Sequence, residues 1–378
     1  MEEIDASKIL EEAKVFANNE IRPFATQFDT EEGVSLELIK KIGAKGYLSS
    51  NFPVKYGGFG FNPLHYGLLT ETIGKACCST RALLTVNSSL IGESILRFGS
   101  EYQKEYWLKA IASGDKIGAF ALTEPEVGSD AKSIKTEYKK DGDSFIINGA
   151  KKWITYGAIA DFYLLIAANG GKATAFLVDR NTEGITTKKI TGLLASKGAY
   201  LAEIEFKDVK VPKDSILGIE GIGFTHAVNT ALDHGRYSIA WAGVSISQEA
   251  LEGMVTYARN REQFGKKIYS FQLIQEMIAN AVTKVHASRA VCIEAARLRE
   301  INSPEAAIET TMAKYFTSKA AVEITNDAVQ LHGGNGFSNL FSAERLFREA
   351  KVLEIIEGTS QIQVEILSHY GLRKYYKN

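Results

Sequence analysis

The chain has 378 residues, enough for two or three packed units around a large core. Apolar residues make up 45% and charged residues 24%, as in a soluble globular protein, and a net charge of -1 leaves no overall field favouring nucleic acid or an anionic membrane. Three cysteines (Cys77, Cys78, Cys292) without a C-x-x-C, and six histidines without an H-E-x-x-H, argue against a disulfide framework or a metal site and for a reducing, cytoplasmic setting.

Residues 1 to about 115 read as helices. Ile4, Ile9, Leu10, Ala13 and Phe16 line one helical face, which Pro23 interrupts. Leu36, Leu38, Ile39 and Ile42 mark a second helix ending near Gly46, and Leu64 to Gly74 a third, after a glycine-rich loop over 56–63. A fourth, from Thr80 to Phe98, carries no charge between Ala82 and Gly92 and should cross the interior. Glu101 to Ala112 is polar and amphipathic. Residues 1–20 lack the apolar core of a secretory signal, and no apolar run reaches the ~18 residues of a membrane span.

The period then changes to two. Ser144–Ile147, Asn148-Gly149 and Lys151–Thr155 read as a hairpin with an Asn-Gly turn. A second hairpin runs from Phe162 to Asp179 through Asn169-Gly170-Gly171, and Ala202, Ile204 and Phe206 alternate with glutamates. Residues from about 118 to 215 therefore predict an antiparallel barrel or sandwich. Helical periodicity returns after the Gly218, Gly221, Gly223 joint: Tyr237 to Arg259, a helix marked by Ile274 to Val285, another marked by Ala313 to Leu331, and a fourth over 361–372 predict a four-helix bundle. The fold class is α+β, divided as 1–115 helical, 116–220 β and 221–378 helical bundle. No βαβ repeat and no G-x-G-x-x-G after a strand appear, against a Rossmann nicotinamide site.

Five stretches are candidates for chemistry, and each has a plainer reading. Glu357 lies between an apolar run and Gly358, just before Thr359 and Ser360 start a helix. Burial there would push its carboxyl toward neutrality and suit a general base; taken alone, a helix-capping acid is the commoner case. The loop Phe120–Asp130 offers Thr123, Ser129 and backbone N–H groups to a phosphate, or is a surface turn. Trp153 and Thr155 share a strand face, as a stacking platform or as core. Arg259–Lys266 ends a helix with Arg261 and Gln263, either a pyrophosphate clamp or a solvated terminus. Gln330–Phe337 closes another helix with Gly333 and Gly334, inviting close ligand approach or a simple C-cap.

Together and in this order, the five stretches resemble the acyl-CoA dehydrogenase family over essentially the whole chain. The resemblance implies FAD, with parts of each site lent by a neighbouring subunit in a homodimer or homotetramer. It implies that Phe120, Leu122, Thr123, Gly128 and Ser129 line the flavin and its ribityl-phosphate arm, and that Trp153 and Thr155 flank the ring near N5. Arg261, Gln263, Phe264, Gln330, Gly333 and Gly334 would reach a neighbour's FAD; Thr359 and Gln361 would touch the dinucleotide near the base. Glu357 becomes the base that takes the α-proton of an acyl thioester, with Ser129, Arg236, Ile356 and Gly358 at the substrate. A flavin ribityl hydroxyl and the backbone N–H of Glu357 would hold the enolate oxygen. Ile356, Tyr156, Lys197 and Glu126 depart from the family's usual Tyr, Asn, Arg and Gly.

Residues 76–86, 233–241 and 354–358 look similar to a narrower branch that oxidises short polar acyl groups on acyl carrier proteins for hydroxymalonyl or aminomalonyl extender units. A basic rim of Arg81 or Lys132, Lys135, Lys139 and Lys140 would then meet an acidic carrier, although a solvated charged face is the plainer reading of the lysines. The alternatives are a short-chain acyl-CoA dehydrogenase of catabolism and a non-catalytic DNA-binding flavoprotein. The electron acceptor would be an electron-transfer flavoprotein or oxygen, with no nucleic acid and no membrane as partners.

Overall fold

The structure, a computed structural model, describes residues 5–377. Ile4 therefore lies outside the described residues. Helix α1 (Ala6–Phe16) is capped by Asp5, whose carboxylate accepts from the N–H groups of Ser7 and Lys8. Its face buries Ala13 and Phe16. Helix α2 (Leu36–Ala44) starts on the Ser35 cap, buries Leu38, Ile39 and Ile42, and leaves Leu36 exposed, since that residue sits outside the 38–39–42 stripe. Helix α3 (Pro63–Ala76) has Asn62 as cap and Pro63 in its first turn.

The uncharged stretch does cross the interior. Helix α4 (Cys78–Leu84) passes through a π-helical segment (Thr85–Gly92) into α5 (Glu93–Phe98), and every residue of the π segment is buried. Its polar groups find partners inside: Asn87 donates to Leu83 O at 3.0 Å and accepts from Gly118 N at 2.8 Å, and Ser88 donates to Leu48 O at 2.7 Å.

The middle of the chain forms one eight-stranded sheet: β1 (Gly118–Ala121), β2 (Glu137–Asp141), β3 (Ser144–Ile154), β4 (Phe162–Asn169), β5 (Lys172–Asp179), β6 (Ile185–Lys189), β7 (Ala202–Pro212) and β8 (Ile216–Leu217). Their order is β6-β7-β3-β2-β4-β5-β8, with β1 also on β4. The sheet is mixed rather than antiparallel, because β1 and β2 both pair with β4 in parallel. Strand β4 is buried on both faces: Phe162, Leu164 and Ile166 join the core shared with the N-terminal helices, while Tyr163, Leu165 and Ala167 join the core within the sheet.

The expected Asn148-Gly149 hairpin is absent. Strand β3 runs straight through both residues, and the real turn lies before it, between β2 and β3. Between the pairs Ile147–Val209 and Gly149–Phe206, β7 carries one residue more than β3, and Asp208 takes a φ of 51°. Asn148 braces this bulge: its side chain donates to Asp208 Oδ1 at 3.1 Å and accepts from Asp208 N at 2.8 Å. Gly149 is required by a close crossing, since a Cβ there would lie 2.6 Å from Thr136 Cα at a φ of 149°. Gly149→Ala is expected to lower stability by about 2–4 kcal/mol, read as a fall in the denaturant midpoint; an unchanged midpoint would show that β2 yields freely.

From Phe224 the chain is helical again: α6 (Asn229–Asn260), α7 (Gln272–Glu300), α8 (Ala306–His332) and α10 (Ser360–Lys374), with a short α9 (Ala343–Leu353) that periodicity did not suggest. Ile239, Ala242, Ile246, Ala281, Val285, Ala321 and Ile324 make a core between α6, α7 and α8, into which α9 inserts Leu346, Ala350 and Leu353. The outermost helix, α10, buries only Gln363. A two-stranded hairpin, β9 (Glu262–Gln263) and β10 (Lys266–Lys267), joins α6 to α7 through Phe264 and Gly265, both at positive φ. Among the described residues no helix is long and apolar enough to cross a membrane.

Candidate active site

Six residues separate α9 from α10, and Glu357 stands in that turn. Glu357 and Gly358 have φ of 54° and 87°, two left-handed residues in succession. Two buried side chains, Lys314 and Gln363, and the half-buried Arg236 hold the turn by its carbonyls. Arg236 Nε donates to Glu357 O at 3.3 Å, Lys314 Nζ to Gly358 O at 2.7 Å, and Gln363 Nε2 to both, at 3.3 and 2.9 Å. The N–H of Glu357 donates to no group among the described residues. Thr359 caps α10, accepting from Ile362 N at 3.4 Å.

The Glu357 carboxylate lies against α6. A Cβ on Gly235 would come within 2.2 Å of Glu357 Oε2 and 2.7 Å of Leu90 Cδ2, so residue 235 has to be glycine for the acid to sit there. Oε2 is enclosed and has no hydrogen-bond partner among the described residues. Burial pushes the Glu357 carboxyl up to about 7, against the pull of Arg236, Lys314 and Arg81. A carboxylate poised there accepts a proton from carbon near neutral pH more readily than a solvated one.

Lys314 and Gln363 were missed in the sequence. Lys314 interrupts a face of small buried residues on α8 (Ala313, Thr317, Ser318, Ala321), and Gln363 lies next to the apolar Ile362 at the start of α10. A lone polar group on such a face was the available signal. Ile356 is half-buried against the bundle core. Gln361 faces outward on α10.

The second group of candidates surrounds the end of β3. Between Lys151–Ile204 and Ile154–Ala202, β3 carries an extra residue, and Trp153 takes a φ of 63° with its side chain 48% exposed. This bulge breaks the alternation that placed Trp153 and Thr155 on one strand face. Lys152 N donates to Thr123 O at 2.9 Å, bringing the 120s loop against the same strand end. Phe120 and Thr123 are half-buried, Leu122 is buried, and Gly128 and Ser129 are exposed. An ion pair that the sequence did not reveal anchors this loop: Lys151 Nζ lies 2.8 Å from Glu124 Oε1, both side chains buried, and also donates to Leu122 O at 2.9 Å. Glu124 accepts from the N–H groups of Lys135 (2.6 Å) and Thr136 (2.9 Å) as well. Burial pushes the Glu124 carboxyl up, but Lys151 and these donors outweigh it and hold it below the usual range.

The third group lines a cleft of about 740 Å³ at the far end of the bundle: Arg261, Gln263, Phe264, Gly333 and Gly334. Gln330 is exposed on the last turn of α8 and does not line it. None of the residues around the end of β3 lines it either. Phe264 is 92% exposed, Arg261 makes no ion pair among the described residues, and a Cβ at Gly333, Gly334 or Gly128 would meet nothing within 4 Å. An unpaired guanidinium, open glycine backbone and bare aromatic faces suit a dinucleotide with a pyrophosphate and planar rings. The residues therefore fit FAD.

Two departures from the expected pattern lie inside. Tyr156 is buried at a φ of 59° and donates to Ser79 O at 2.8 Å, tying the end of β3 to α4. Arg81 is only 2% exposed, so it is no part of a surface rim. Of the lysines expected there, Lys135 pairs with Glu126, Lys139 with Glu137 and Lys140 with Glu220, leaving little free positive charge.

Three family models match: "Acyl-CoA dehydrogenase, N-terminal domain" over residues 4–115, "middle domain" over 119–209 and "C-terminal domain" over 221–371. The chain is 39% identical to the mitochondrial short-chain specific acyl-CoA dehydrogenase of Homo sapiens, over 97% of this chain and 90% of that protein. Among solved structures, a glutaryl-CoA dehydrogenase from Mycobacterium smegmatis in complex with FADH2 superposes with a TM-score of 0.93 at 28% identity, covering 99% and 96% of the two chains. The prolyl acyl carrier protein oxidase AnaB superposes with a TM-score of 0.91 at 27% identity, covering 97% and 98%.

Proposed function

The chain belongs to the acyl-CoA dehydrogenase family, and we propose that Glu357 is the general base that removes the α-proton of a short acyl thioester. The enzyme is an FAD-dependent oxidoreductase acting on the CH–CH group of acyl thioesters. The observation that carries the assignment of Glu357 is its enclosed, unpartnered Oε2 on a turn fastened from below by Arg236, Lys314 and Gln363. Those three groups hold backbone carbonyls and leave the carboxylate to face the substrate. The free N–H of Glu357 donates to the thioester oxygen as negative charge develops there, a contact worth about 3–4 kcal/mol in such sites. Bound FAD supplies the two-electron acceptor for the hydride leaving the β-carbon.

For the cofactor, Thr123, Ser129, Trp153 and Thr155 hold one part and Arg261, Gln263, Gly333 and Gly334 another. The cleft lies apart from the residues at the end of β3 and is lined in part by exposed Phe264 and Leu273, which favours a homo-oligomer in which a second copy completes each site. Coenzyme A is the carrier favoured by the higher identity to the short-chain enzyme, and by the pairing of the lysines that would greet an acidic protein. A carrier-protein thioester is the second reading, supported by the likeness to AnaB along the whole chain.

Anaerobic mixing with butyryl-CoA is expected to bleach the flavin absorbance of the purified holoenzyme. The kcat/KM for this reduction should rise with pH through about 7, because only the ionised Glu357 accepts the proton. A flavin that no short acyl thioester bleaches, on coenzyme A or on a carrier protein, would overturn the reading.

A further inference from the structure

We infer that Lys314 is a positioning residue: its ammonium group, reaching from α8, supplies the positive charge that keeps the Glu357 carboxylate ionised and ready for the α-proton. This rests on the reading of Glu357 as the base and names the group that governs its charge. Lys314 lies on α8 among Thr310, Thr311, Ala313, Thr317 and Ser318, all buried, and is itself 0% exposed. Those small neighbours leave room for its four-carbon stem. Nζ donates to Gly358 O at 2.7 Å, and no carboxylate among the described residues comes within ion-pair distance of it. A buried ammonium with no acid in contact is destabilising, so the charge calls for a role that offsets it.

Holding the carbonyl does not require that charge. Gln363 Nε2 donates to the same Gly358 oxygen at 2.9 Å, and to Glu357 O at 3.3 Å. A neutral amide therefore already fastens the turn, and a carbonyl oxygen with two donors has no lone pair to spare. The ammonium needs an anion, and two of the acids near it are taken. Glu354 pairs with Lys351 at 2.6 Å, and Asp233 with Arg299 at 2.8 Å. Glu357 is left, one residue before the carbonyl that Lys314 holds, with Oε2 enclosed and unpartnered. Base and cation act on each other across the turn. Burial raises the Glu357 carboxyl to about 7, and Arg236 on α6, Lys314 on α8 and Arg81 on α4 pull it down, in that order. Burial lowers Lys314 to about 8, opposed by Glu357, aided by Arg236 and opposed again by Glu354. Between about pH 7 and 8 the two groups are charged together, which is the window in which the base is both ionised and held.

The test reads the charge state of Glu357 directly. In the holoenzyme its carboxylic acid C=O stretch, identified by its loss in Glu357→Gln, is titrated by infrared difference spectroscopy. The wild-type midpoint should lie at about 7. Lys314→Met should move it up by about one pH unit, since removing a neighbouring cation favours the protonated acid. The kcat/KM for flavin bleaching should then fall about fivefold at pH 7, the loss of ionised base that one unit implies. It should recover toward the wild-type value at pH 9, where Lys314 of the wild type has itself lost its proton. Gln363→Leu removes the neutral donor from the same oxygen; it should leave the midpoint within about 0.3 unit and lower kcat/KM at every pH. Lys314→Arg keeps the charge and should hold the midpoint near 7, and it decides alone should Lys314→Met not fold. An unmoved midpoint in Lys314→Met, an equal rise in Gln363→Leu, or a rise of about one unit in Lys314→Arg would overturn the inference. A wild type that bleaches on no acyl thioester, with a midpoint that still moves in Lys314→Met, would uphold the hold of the cation on Glu357 and remove the assigned reaction.

Discussion

Glu357→Gln is expected to retain bound FAD and to lose about 10³–10⁴-fold in the rate of flavin reduction by an acyl thioester. The amide fills the same space over Gly235 but cannot take a proton, and the groups that fasten the turn bind carbonyls that the substitution leaves in place. The same variant should be more stable than the wild type, in a pH-dependent way. The Glu357 carboxyl is raised to about 7 in the folded chain, from an ordinary value of 4.5, so the folded state binds the proton more tightly than the unfolded state does. Stability therefore falls as pH rises from about 4.5 to 7, and the penalty is complete above that window. The Gln variant is free of it. Its unfolding temperature should exceed that of the wild type at pH 8, by an amount corresponding to about 1–2 kcal/mol, and match it at pH 4. Undiminished flavin reduction would take Glu357 out of the mechanism; a stability difference independent of pH would show that the carboxylate is not enclosed in the manner described.

How far the sequence reaches can be seen by comparing these groups. Glu357 and its neighbours were legible because base, turn glycine and helix cap are adjacent in the chain, so a local pattern carries them. The uncharged run 82–92 was legible as an interior helix for a similar reason: a helix without a polar face has nowhere else to go. Arg81 was misread as a surface cation because the hydroxyls around its site come from α3, the π segment and α6, more than 150 residues apart at their widest. Asn148-Gly149 was misread as a turn because the dipeptide signals positive φ without saying which strand needs it; here the crossing of Thr136 and the bulge at Asp208 claim it. Trp153 was recognised as a residue but not its orientation, which depends on a register shift against β7. Local chemistry survives in a sequence read alone, whereas cross-strand register and buried charge pairing do not.

Lys151 and Glu124 carry the largest expected effect on stability. They stand 27 residues apart, and neither is marked by its neighbours in sequence, yet their side chains form a fully buried pair 2.8 Å apart that closes the loop between β1 and β2 onto β3. Lys151→Met leaves a buried carboxylate with two N–H donors and no opposite charge, a change expected to cost about 3–5 kcal/mol. The loop from Leu122 to Thr136 then loses its anchor, and the FAD content of the purified protein should fall with it, since Thr123 and Ser129 ride on that segment. Adding Glu124→Gln should recover much of the loss, because an amide oxygen still accepts from the N–H groups of Lys135 and Thr136 but carries no charge to strand. The pH dependence separates charge from packing. In the wild type Lys151 and the two donors hold the Glu124 carboxyl below its ordinary range, so this contribution is present above that range and lost in acid. In Lys151→Met the carboxyl is desolvated without compensation, its proton affinity rises, and the deficit against wild type should be greatest near pH 8 and shrink toward pH 4. A deficit that stays constant across that range, or a double variant no more stable than Lys151→Met, would assign the cost to the cavity left by the lysine stem instead of to the stranded charge.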